Sequence, residues 1–238
     1  MENAITATLS RQTGLMSRMQ IVANNIANAN TTGFRTEGMM FSEFIRTLGP
    51  DEPSLSMAAA RVRMTDLGQG ALARTGGDFD LAIEGEGFFL VLAPDGERLT
   101  RAGAFTPDAD GNLVTAQGWP LLDAGGAPLF VPVGTGAVGI APDGTISANG
   151  QPVGQVGLVL PVDADAMTRL DGVSFRTDDG WEPADNARVL QGFLESSNVD
   201  PVLELARMIE VQRAYEMGQS FLEREDERIR NVIQTLGR

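Results

Sequence analysis

The sequence predicts an α+β fold in which long helices at the two ends pair as a coiled coil and enclose an inserted all-β, turn-rich central domain. Glycine and proline are concentrated in the middle: residues 49–194 hold 23 Gly and 11 Pro, whereas residues 1–48 hold 3 Gly and no Pro, and residues 195–238 hold 2 Gly and one Pro. Both ends repeat apolar residues at every seventh position, which is typical of helices that pack along one stripe. The middle instead contains short apolar runs separated by turn dipeptides.

Residues 1–33 are predicted to form the first helix of an assembly core. Two adjacent rows have heptad spacing, and a third set of residues widens the stripe. The first row is Ile5, Gln12, Met19 and Ile26, the second is Thr8, Leu15 and Val22, and the third is Leu9, Met16 and Ala23. A helix over residues 3–27 would be about 37 Å long. The amide-rich stretch that follows, up to Thr32 and Gly33, favours a turn.

Residues 34–74 are predicted to be a partly structured connector. Apolar residues between Met39 and Leu48 recur at helical spacing, but Pro53 and its polar neighbours interrupt the pattern. We therefore expect a linker with partial structure.

Residues 75–190 are predicted to form a single β domain. Leu81, Ile83 and the runs at 88–92, 113–114 and 156–160 are strand-like. Turn dipeptides recur between such runs and favour hairpins where the flanking residues alternate. They are Asp95–Gly96, Asp110–Gly111, Asp143–Gly144, Asn149–Gly150 and Asp179–Gly180.

Residues 191–238 are predicted to form the second helix of the assembly core. Asp200 is expected to be the N-cap, with Pro201 at the first helical position and Glu204 near the positive end of the helix dipole. A helix over residues 201–236 would be roughly 54 Å long. One row repeats every seven residues: Met208, Tyr215, Leu222, Ile229 and Leu236. Its expected companion row is apolar only at its ends: Leu205, Gln212, Gln219, Asp226 and Ile233.

The shared periodicity predicts that the two terminal helices pack on each other. Each buried seam residue contributes roughly 1.5–3 kcal/mol, but ordering the backbone costs about 1–2 kcal/mol per residue, so the pair is marginal by itself. We therefore expect termini that are weakly ordered in the monomer and that fold when they pack with other copies. The predicted assembly interface contains Ile5, Leu9, Leu15, Met19, Val22, Ile26, Asn25, Asn28, Met208, Tyr215, Leu222, Ile229 and Leu236.

The composition excludes several classes of chemistry. The chain has no Cys and no His, and all 18 of its basic residues are Arg. Thiolate nucleophiles, Cys/His zinc sites, imidazole bases, and Schiff-base or P-loop lysines are therefore excluded. The net charge of -14 argues against nucleic acid as a partner, because phosphate binding needs a basic surface. We expect no cofactor and no metal.

No targeting or membrane-spanning segment is recognisable. The first twenty residues lack the apolar run of a secretory signal. No stretch approaches the about 18 apolar residues that are needed to span a bilayer. Taken alone, these observations predict a soluble protein that stays in the cytoplasm unless another route exports it.

Two short motifs match binding sites only in part. Residues 134–139 fit the dinucleotide pattern GxGxxG, but a turn at Asp143–Gly144 follows, where that pattern needs a helix. Residues 108–112 resemble the start of a calcium loop, but Leu113 and Trp119 occupy the positions of its required Gly and Glu. We interpret both motifs as loops of the β domain.

Paired carboxylates are the catalytic chemistry that the composition leaves open. Asp78 with Asp80, and Glu84 with Glu86, have the spacing at which two residues of a strand share a face. Two carboxylates can hydrolyse a glycosidic bond. A carboxylate-dependent glycoside hydrolase or a binding module is therefore an alternative, although 32 acidic residues also supply such pairs by chance.

Three motifs, in this order, resemble the signatures of bacterial flagellar rod and hook proteins. Residues 22–35, VANNIANANTTGFR, look like their N-terminal signature, and residues 77–89, GDFDLAIEGEGFF, are similar to the start of their β domain. The C-terminal signature resembles SNVDP at 197–201 followed by MIEVQRAYE at 208–216. Within this family, the length and the TTGFR ending look most like the proximal rod protein, with the distal rod protein or another axial subunit as the alternative.

The resemblance implies a structural, non-enzymatic subunit of the flagellar drive shaft. Members of this family leave the cell unfolded through the flagellar type III export apparatus, without a cleaved signal, and polymerise helically in the periplasm. Their terminal helices form the inner layer and their β domain faces outward. The implied partners are other copies of the chain, the proximal and distal rod proteins and the export apparatus. The implied location is the periplasmic rod of the basal body, in place of the cytoplasm, and the hydrolase alternative would then also be periplasmic.

Overall fold

The chain folds as two compact units in a computed structural model that describes residues 2–46, 55–132, 134 and 136–236. The side chains of Ile5 and Leu236 lie outside this described part, as do residues 47–54 of the predicted connector. The helical unit consists of Met1–Ala27, Thr36–Asp66 and Asp200–Arg238. The β unit consists of Asn28–Arg35 and Leu67–Val199.

The helical unit contains both predicted helices and a β-hairpin. Its elements are α1 (Glu2–Ala27), β1 (Glu37–Arg46), β2 (Leu55–Thr65) and α2 (Pro201–Leu236). The carboxylate oxygen Oδ1 of Asp200 accepts hydrogen bonds from the backbone N–H groups of Val202 (2.9 Å) and Leu203 (3.1 Å), which confirms Asp200 as the N-cap of α2. The local sequence signal therefore places the start of α2.

The connector contains a strand where the apolar spacing suggests a helix. β1 and β2 pair antiparallel from Glu37 opposite Thr65 to Arg46 opposite Leu55, with an irregularity between Met40 and Phe41. In the described part, the structured portion of the connector is therefore a hairpin and not a helix. Short apolar runs fit both periodicities, and here the backbone partner in β2 decides between them.

The β unit consists of short antiparallel strands. They are β3 (Leu72–Arg74), β4 (Leu81–Glu84), β5 (Phe88–Ala93), β6 (Gly96–Thr100), β7 (Thr106–Pro107), β8 (Leu113–Val114), β9 (Val138–Ile140), β10 (Thr145–Ala148), β11 (Gln151–Gln155), β12 (Leu158–Pro161), β13 (Thr168–Asp171), β14 (Ser174–Arg176), β15 (Trp181–Pro183), β16 (Arg188–Gln191) and β17 (Phe193–Glu195). The largest sheet has the order β13-β14-β6-β5-β12-β15, and β11-β10-β9 form a second sheet. Three two-stranded ladders, β16-β4, β17-β3 and β7-β8, complete the unit as described. The α+β class, with two helices and a mostly antiparallel β-rich centre, is thereby confirmed.

The predicted turn dipeptides lie at chain reversals. The glycine of each of the five has a positive φ, a conformation that glycine adopts without strain. Four of them join strands that pair with each other, whereas Asp179–Gly180 joins β14 to β15, which pair with other strands. At Asn149–Gly150 both residues have positive φ (52° and 77°), as the tight hairpin between β10 and β11 requires.

The core of the β unit lies on both sides of β5. Phe89 and Val91 point into one buried cluster, and Phe88 and Leu90 point into a second. Alternate residues of a strand face opposite ways, so the continuous apolar run at 88–92 belongs to a strand with both faces covered. The β unit therefore has a core of its own.

Candidate assembly surface of the terminal helices

The predicted row on α2 forms half of a regular seam. Met208, Tyr215, Leu222 and Ile229 are all half-buried. The companion row suggested by the sequence is wrong, because Leu205, Gln212, Gln219, Asp226 and Ile233 are all exposed. The residues that share the seam are instead Glu204, Val211, Gly218 and Glu225, of which the first two are buried and the last two half-buried. On a helix, the positions three and four residues after Met208 both lie next to its row, so either could begin the companion row. The apolar residues at the two ends of the row through Gln212 favoured that row, which is the incorrect choice.

The rows on α1 separate into a covered part and an uncovered part. Leu15 and Val22 are buried, and Met19 and Ile26 are half-buried. The widening set Leu9, Met16 and Ala23 is exposed. The described helical unit therefore covers two of the three predicted rows.

A glutamine and a glycine adapt the contact between α1 and α2. The Gln12 side chain is buried, and its Nε2 donates a hydrogen bond to the backbone oxygen of Tyr215 at 3.0 Å. A Cβ atom at Gly218 would lie 2.1 Å from that same Nε2. The Gln12 side chain therefore fits between the helices because Gly218 has no side chain.

Asn25 joins three elements of the helical unit. Its side chain pairs with the backbone of Glu37 in both directions: Nδ2 donates to the Glu37 oxygen at 2.8 Å, and the Glu37 N–H donates to Oδ1 at 3.0 Å. The same Nδ2 contacts Oε2 of Glu204 at 3.2 Å, and the Glu204 carboxylate also pairs with Arg207. Asn25, Glu37 and Glu204 are all buried. The asparagine thus links α1, β1 and α2 through hydrogen bonds that an aspartate cannot donate.

Asn28 belongs to the turn that follows α1, within the β unit. Its backbone oxygen accepts the Thr31 N–H at 3.0 Å, and its Oδ1 accepts the Thr31 hydroxyl at 3.1 Å. Gly33 ends this turn with φ of 71°, and a Cβ there would lie 2.3 Å from the backbone nitrogen of Ala102. The Thr–Thr–Gly motif is therefore explained by close backbone packing.

A buried ionic cluster lies in the β unit, and the sequence patterns do not reveal it. Glu195 lies 2.6 Å from the Arg35 guanidinium and 3.1 Å from that of Arg101, and all three are almost fully buried. Burial lowers the pKa of Arg101 to about 10, Glu195 opposes this shift and Arg35 reinforces it, so Arg101 keeps its charge near neutral pH. The backbone oxygen of Glu195 also accepts the Gly33 N–H at 2.8 Å. The cluster therefore ties the segment ending at Arg35 to the returning strand β17.

The two partial motifs, interpreted from the sequence as loops, lie in the β unit. Strand β9 (Val138–Ile140) contains the last glycine of the motif that resembles a dinucleotide loop, where that pattern needs a helix. In the loop that resembles a calcium site, the Asp108 carboxylate accepts N–H groups from Asp110 and Asn112. Hydrogen bonds from Asn112 hold the pKa of Asp108 below its ordinary value. Within the described residues, no group of three or more acidic side chains is placed to hold a metal ion.

The candidate catalytic carboxylates are not brought together around one cavity. Asp78, Glu84 and Glu86 are exposed, and Asp80 is half-buried. Of these four, Glu86 lines a cleft of about 550 Å³, which it shares with Glu182 and Arg101. Asp78, Asp80 and Glu84 do not line this cleft.

Comparison with known proteins assigns the chain to a family. Three family descriptions match it in order: "Flagella basal body rod protein" at residues 5–35, "Flagellar hook protein FlgE/F/G D1 domain" at 82–148 and "Flagellar basal body rod FlgEFG protein C-terminal" at 190–235. The flagellar basal-body rod protein FlgF of Caulobacter vibrioides is 41% identical over 100% of this chain and 99% of that protein. The chain belongs to the flagellar basal-body rod protein family. It is a structural rod subunit of the flagellar basal body, which confirms the predicted resemblance.

Further relatives include both FlgF and FlgG proteins. FlgF of Mesorhizobium japonicum is 35% identical over 100% of this chain and 99% of that protein. FlgG of Bacillus subtilis is 28% identical over 98% of each chain.

Within the described residues, neither α1 nor α2 is long and apolar enough to cross a membrane.

Proposed function

We propose that this chain is a subunit of the proximal rod and that it polymerises through its terminal helices, paired as a coiled coil, into the drive shaft that transmits torque. The observation that carries this proposal is the seam of α2, whose row from Met208 to Ile229 is half-buried while Leu9 and Met16 of α1 stay exposed. A helix pair that covers one side of each helix and leaves apolar residues on another is suited to packing with further copies. The similarity to FlgF proteins supports the proximal rod, and the distal rod is the alternative.

The predicted interface residues take three roles in this proposal. Leu15, Met19, Val22 and Ile26, with the row from Met208 to Ile229, hold α1 and α2 together. Leu9 is directed to other subunits. Asn25 and Asn28 act within the subunit, where they bond to the backbone of Glu37 and to the Thr31 hydroxyl.

The proposed partners are other copies, the proximal and distal rod proteins and the flagellar type III export apparatus. The proposed location is the periplasmic rod, reached without a cleaved signal peptide. Nucleic acid and membrane insertion have no part in this role, and the net charge of -14 is consistent with that. We propose a structural and not a catalytic role, in line with relatives that are named as rod proteins.

The test compares the helix seam with the carboxylates. Leu15→Asp and Leu222→Asp place a charge in the α1–α2 contact and should abolish swimming and remove the protein from purified basal bodies. The pair Asp78→Asn with Glu84→Gln should leave both readouts unchanged. Loss of swimming in the amide variant with normal swimming in the two Asp variants would contradict the proposal.

A surface variant separates assembly from folding. Leu9→Asp changes a residue that is 52% exposed, so the subunit should keep its fold by circular dichroism and still fail to enter basal bodies. Val162→Asp makes a similar change at an exposed residue of the β unit and serves as the matched control.

A further inference from the structure

The uncovered side of α1 is a continuous stripe without charge. Its residues recur at intervals of four and three along the helix: Leu9, Thr13, Met16, Gln20, Ala23 and Ala27. All six are exposed, and Leu9 and Met16 are 52% and 55% exposed. A helix face that meets water normally carries charged side chains, and 21% of the residues of this chain are charged. The stripe is therefore unlike a solvated face.

Hydroxyl groups in the stripe and beside it bond to their own helix. The Thr13 hydroxyl of the stripe donates to the backbone oxygen of Leu9 at 3.1 Å, and the neighbouring Ser17 hydroxyl donates to the oxygen of Thr13 at 3.1 Å. Hydroxyls that bond to the preceding turn do not need water or a partner's polar group. The part of the stripe from Leu9 to Met16 can therefore be covered by an apolar surface at little cost in lost hydrogen bonds.

A groove of complementary character lies elsewhere on the same helical unit, between α1 and α2. Its volume is about 370 Å³, and its lining, in which Arg11 is charged and the other residues are not, consists of Thr8, Arg11, Gln12, Leu15, Ala214, Met217, Gly218 and Phe221. Met217 is 66% exposed at its rim.

We propose that the stripe of one copy docks into the groove of a second copy, with Met16 seated between Leu15, Met217 and Phe221. This rests on the proposed function and adds which surfaces meet. The stripe and the groove are different surfaces of one chain, so the contact is heterologous. A series of joined subunits therefore has a free stripe at one end and a free groove at the other. Such contacts extend into open helical assemblies when the rotation does not close a ring.

The character of the two surfaces selects a second copy as the occupant. An amphipathic helix that binds a membrane is rich in basic residues on its polar face, whereas α1 has two Arg among 26 residues, and α2, which forms the other wall, has seven acidic residues against five Arg. Joining stripe to groove buries the exposed parts of Leu9, Met16 and Met217 at once, and both surfaces are supplied by the same chain. A contact of this small extent is weak for a single pair and becomes effective when repeated along an assembly.

The test is a cross-link between positions 16 and 217 of neighbouring copies. The chain has no Cys, so Met16→Cys and Met217→Cys each introduce a single thiol. Cells lacking the natural protein would co-express full-length Met16→Cys and a size-tagged Met217→Cys, and their purified basal bodies would be oxidised and run on a non-reducing gel. The mixed dimer should exceed that of Met16→Cys with Ile233→Cys at least about tenfold, because contacting thiols have a high effective concentration. Ile233 is also on α2 and 64% exposed, but it does not line the groove.

A second measurement separates this inference from the proposed function. Met16→Asp and Met217→Asp should each exclude the subunit from basal bodies. If both do so but the mixed dimer does not exceed the control, assembly through the terminal helices stands and this docking is wrong. If neither variant changes incorporation and no excess dimer forms, both proposals are wrong.

Discussion

The two terminal helices share a periodicity and differ in the surface that they leave uncovered. α1 has three charged residues among 26, whereas α2 has twelve among 36. α1 contacts α2 on one side and the hairpin β1–β2 on another, and the stripe that remains is uncharged. Heptad spacing alone does not distinguish a helix that is surrounded by protein from one that keeps a face in water, but the distribution of charge does.

Six of the twelve charged residues of α2 form ion pairs along the helix. Arg228 lies 2.7 Å from Glu225, and Arg230 lies 2.6 Å from Asp226. Exposed pairs at this spacing contribute only about 0.3–0.5 kcal/mol each, so they make the face compatible with water more than they hold the helix in place. The outer face of α2 is therefore suited to solvent, and that of α1 to a neighbour.

The largest stability effect should come from the asparagine that fixes α1 in the helical unit. Asn25→Asp removes the N–H donors to Glu37 and Glu204 and places a second carboxylate beside the buried Glu204. We expect a loss of about 3 kcal/mol in the free energy of unfolding of the helical unit, measured by urea denaturation followed by helical circular dichroism.

Asn30→Asp is the matched control for that variant. Asn30 is exposed, so the same chemical change should shift the free energy of unfolding by no more than about 0.5 kcal/mol. Equal losses at the two positions would show that the junction at Asn25 does not hold α1 in place.

A smaller effect should come from the glycine that admits Gln12. Alanine is favoured over glycine in a helix by about 1 kcal/mol. A Cβ at Gly218, however, displaces the Gln12 side chain and breaks its hydrogen bond to Tyr215, and this loss also costs about 1 kcal/mol. We therefore expect Gly218→Ala to leave stability nearly unchanged in the natural background. In a Gln12→Ala background the same substitution should stabilise by about 1 kcal/mol.

Thermal and urea unfolding of the two single variants and the double variant would measure this coupling. Equal effects of Gly218→Ala in both backgrounds would mean that Gln12 and Gly218 do not share the seam as described.

Features encoded by neighbouring residues could be predicted from the sequence. The N-cap at Asp200 and the glycines of the turn dipeptides act within a few residues, so the helix starts and chain reversals are readable without knowing the fold. The apolar run at 88–92 likewise identifies a strand that is buried on both faces.

Features that depend on distant partners could not be predicted. The true companion row contains Glu204 and Gly218, and these polar or small residues enter the seam because Asn25 and Gln12 meet them from α1. The connector is a hairpin because β2 supplies the backbone partner of β1. The sequence signal for the buried ionic cluster is a charged residue directly after aromatic or apolar residues: Arg35 follows Phe34, and Glu195 follows Phe193 and Leu194.

The central claim, that α1 is covered by neighbouring copies while α2 keeps a face in water, is tested most directly by thiol labelling at two positions. Met16→Cys lies on the uncharged stripe, and Glu227→Cys lies on the exposed charged face of α2. Both thiols should react with a small maleimide in the isolated subunit. In purified basal bodies the thiol at position 16 should be protected, and the one at position 227 should still react. Equal reactivity of the two thiols in basal bodies would contradict the account.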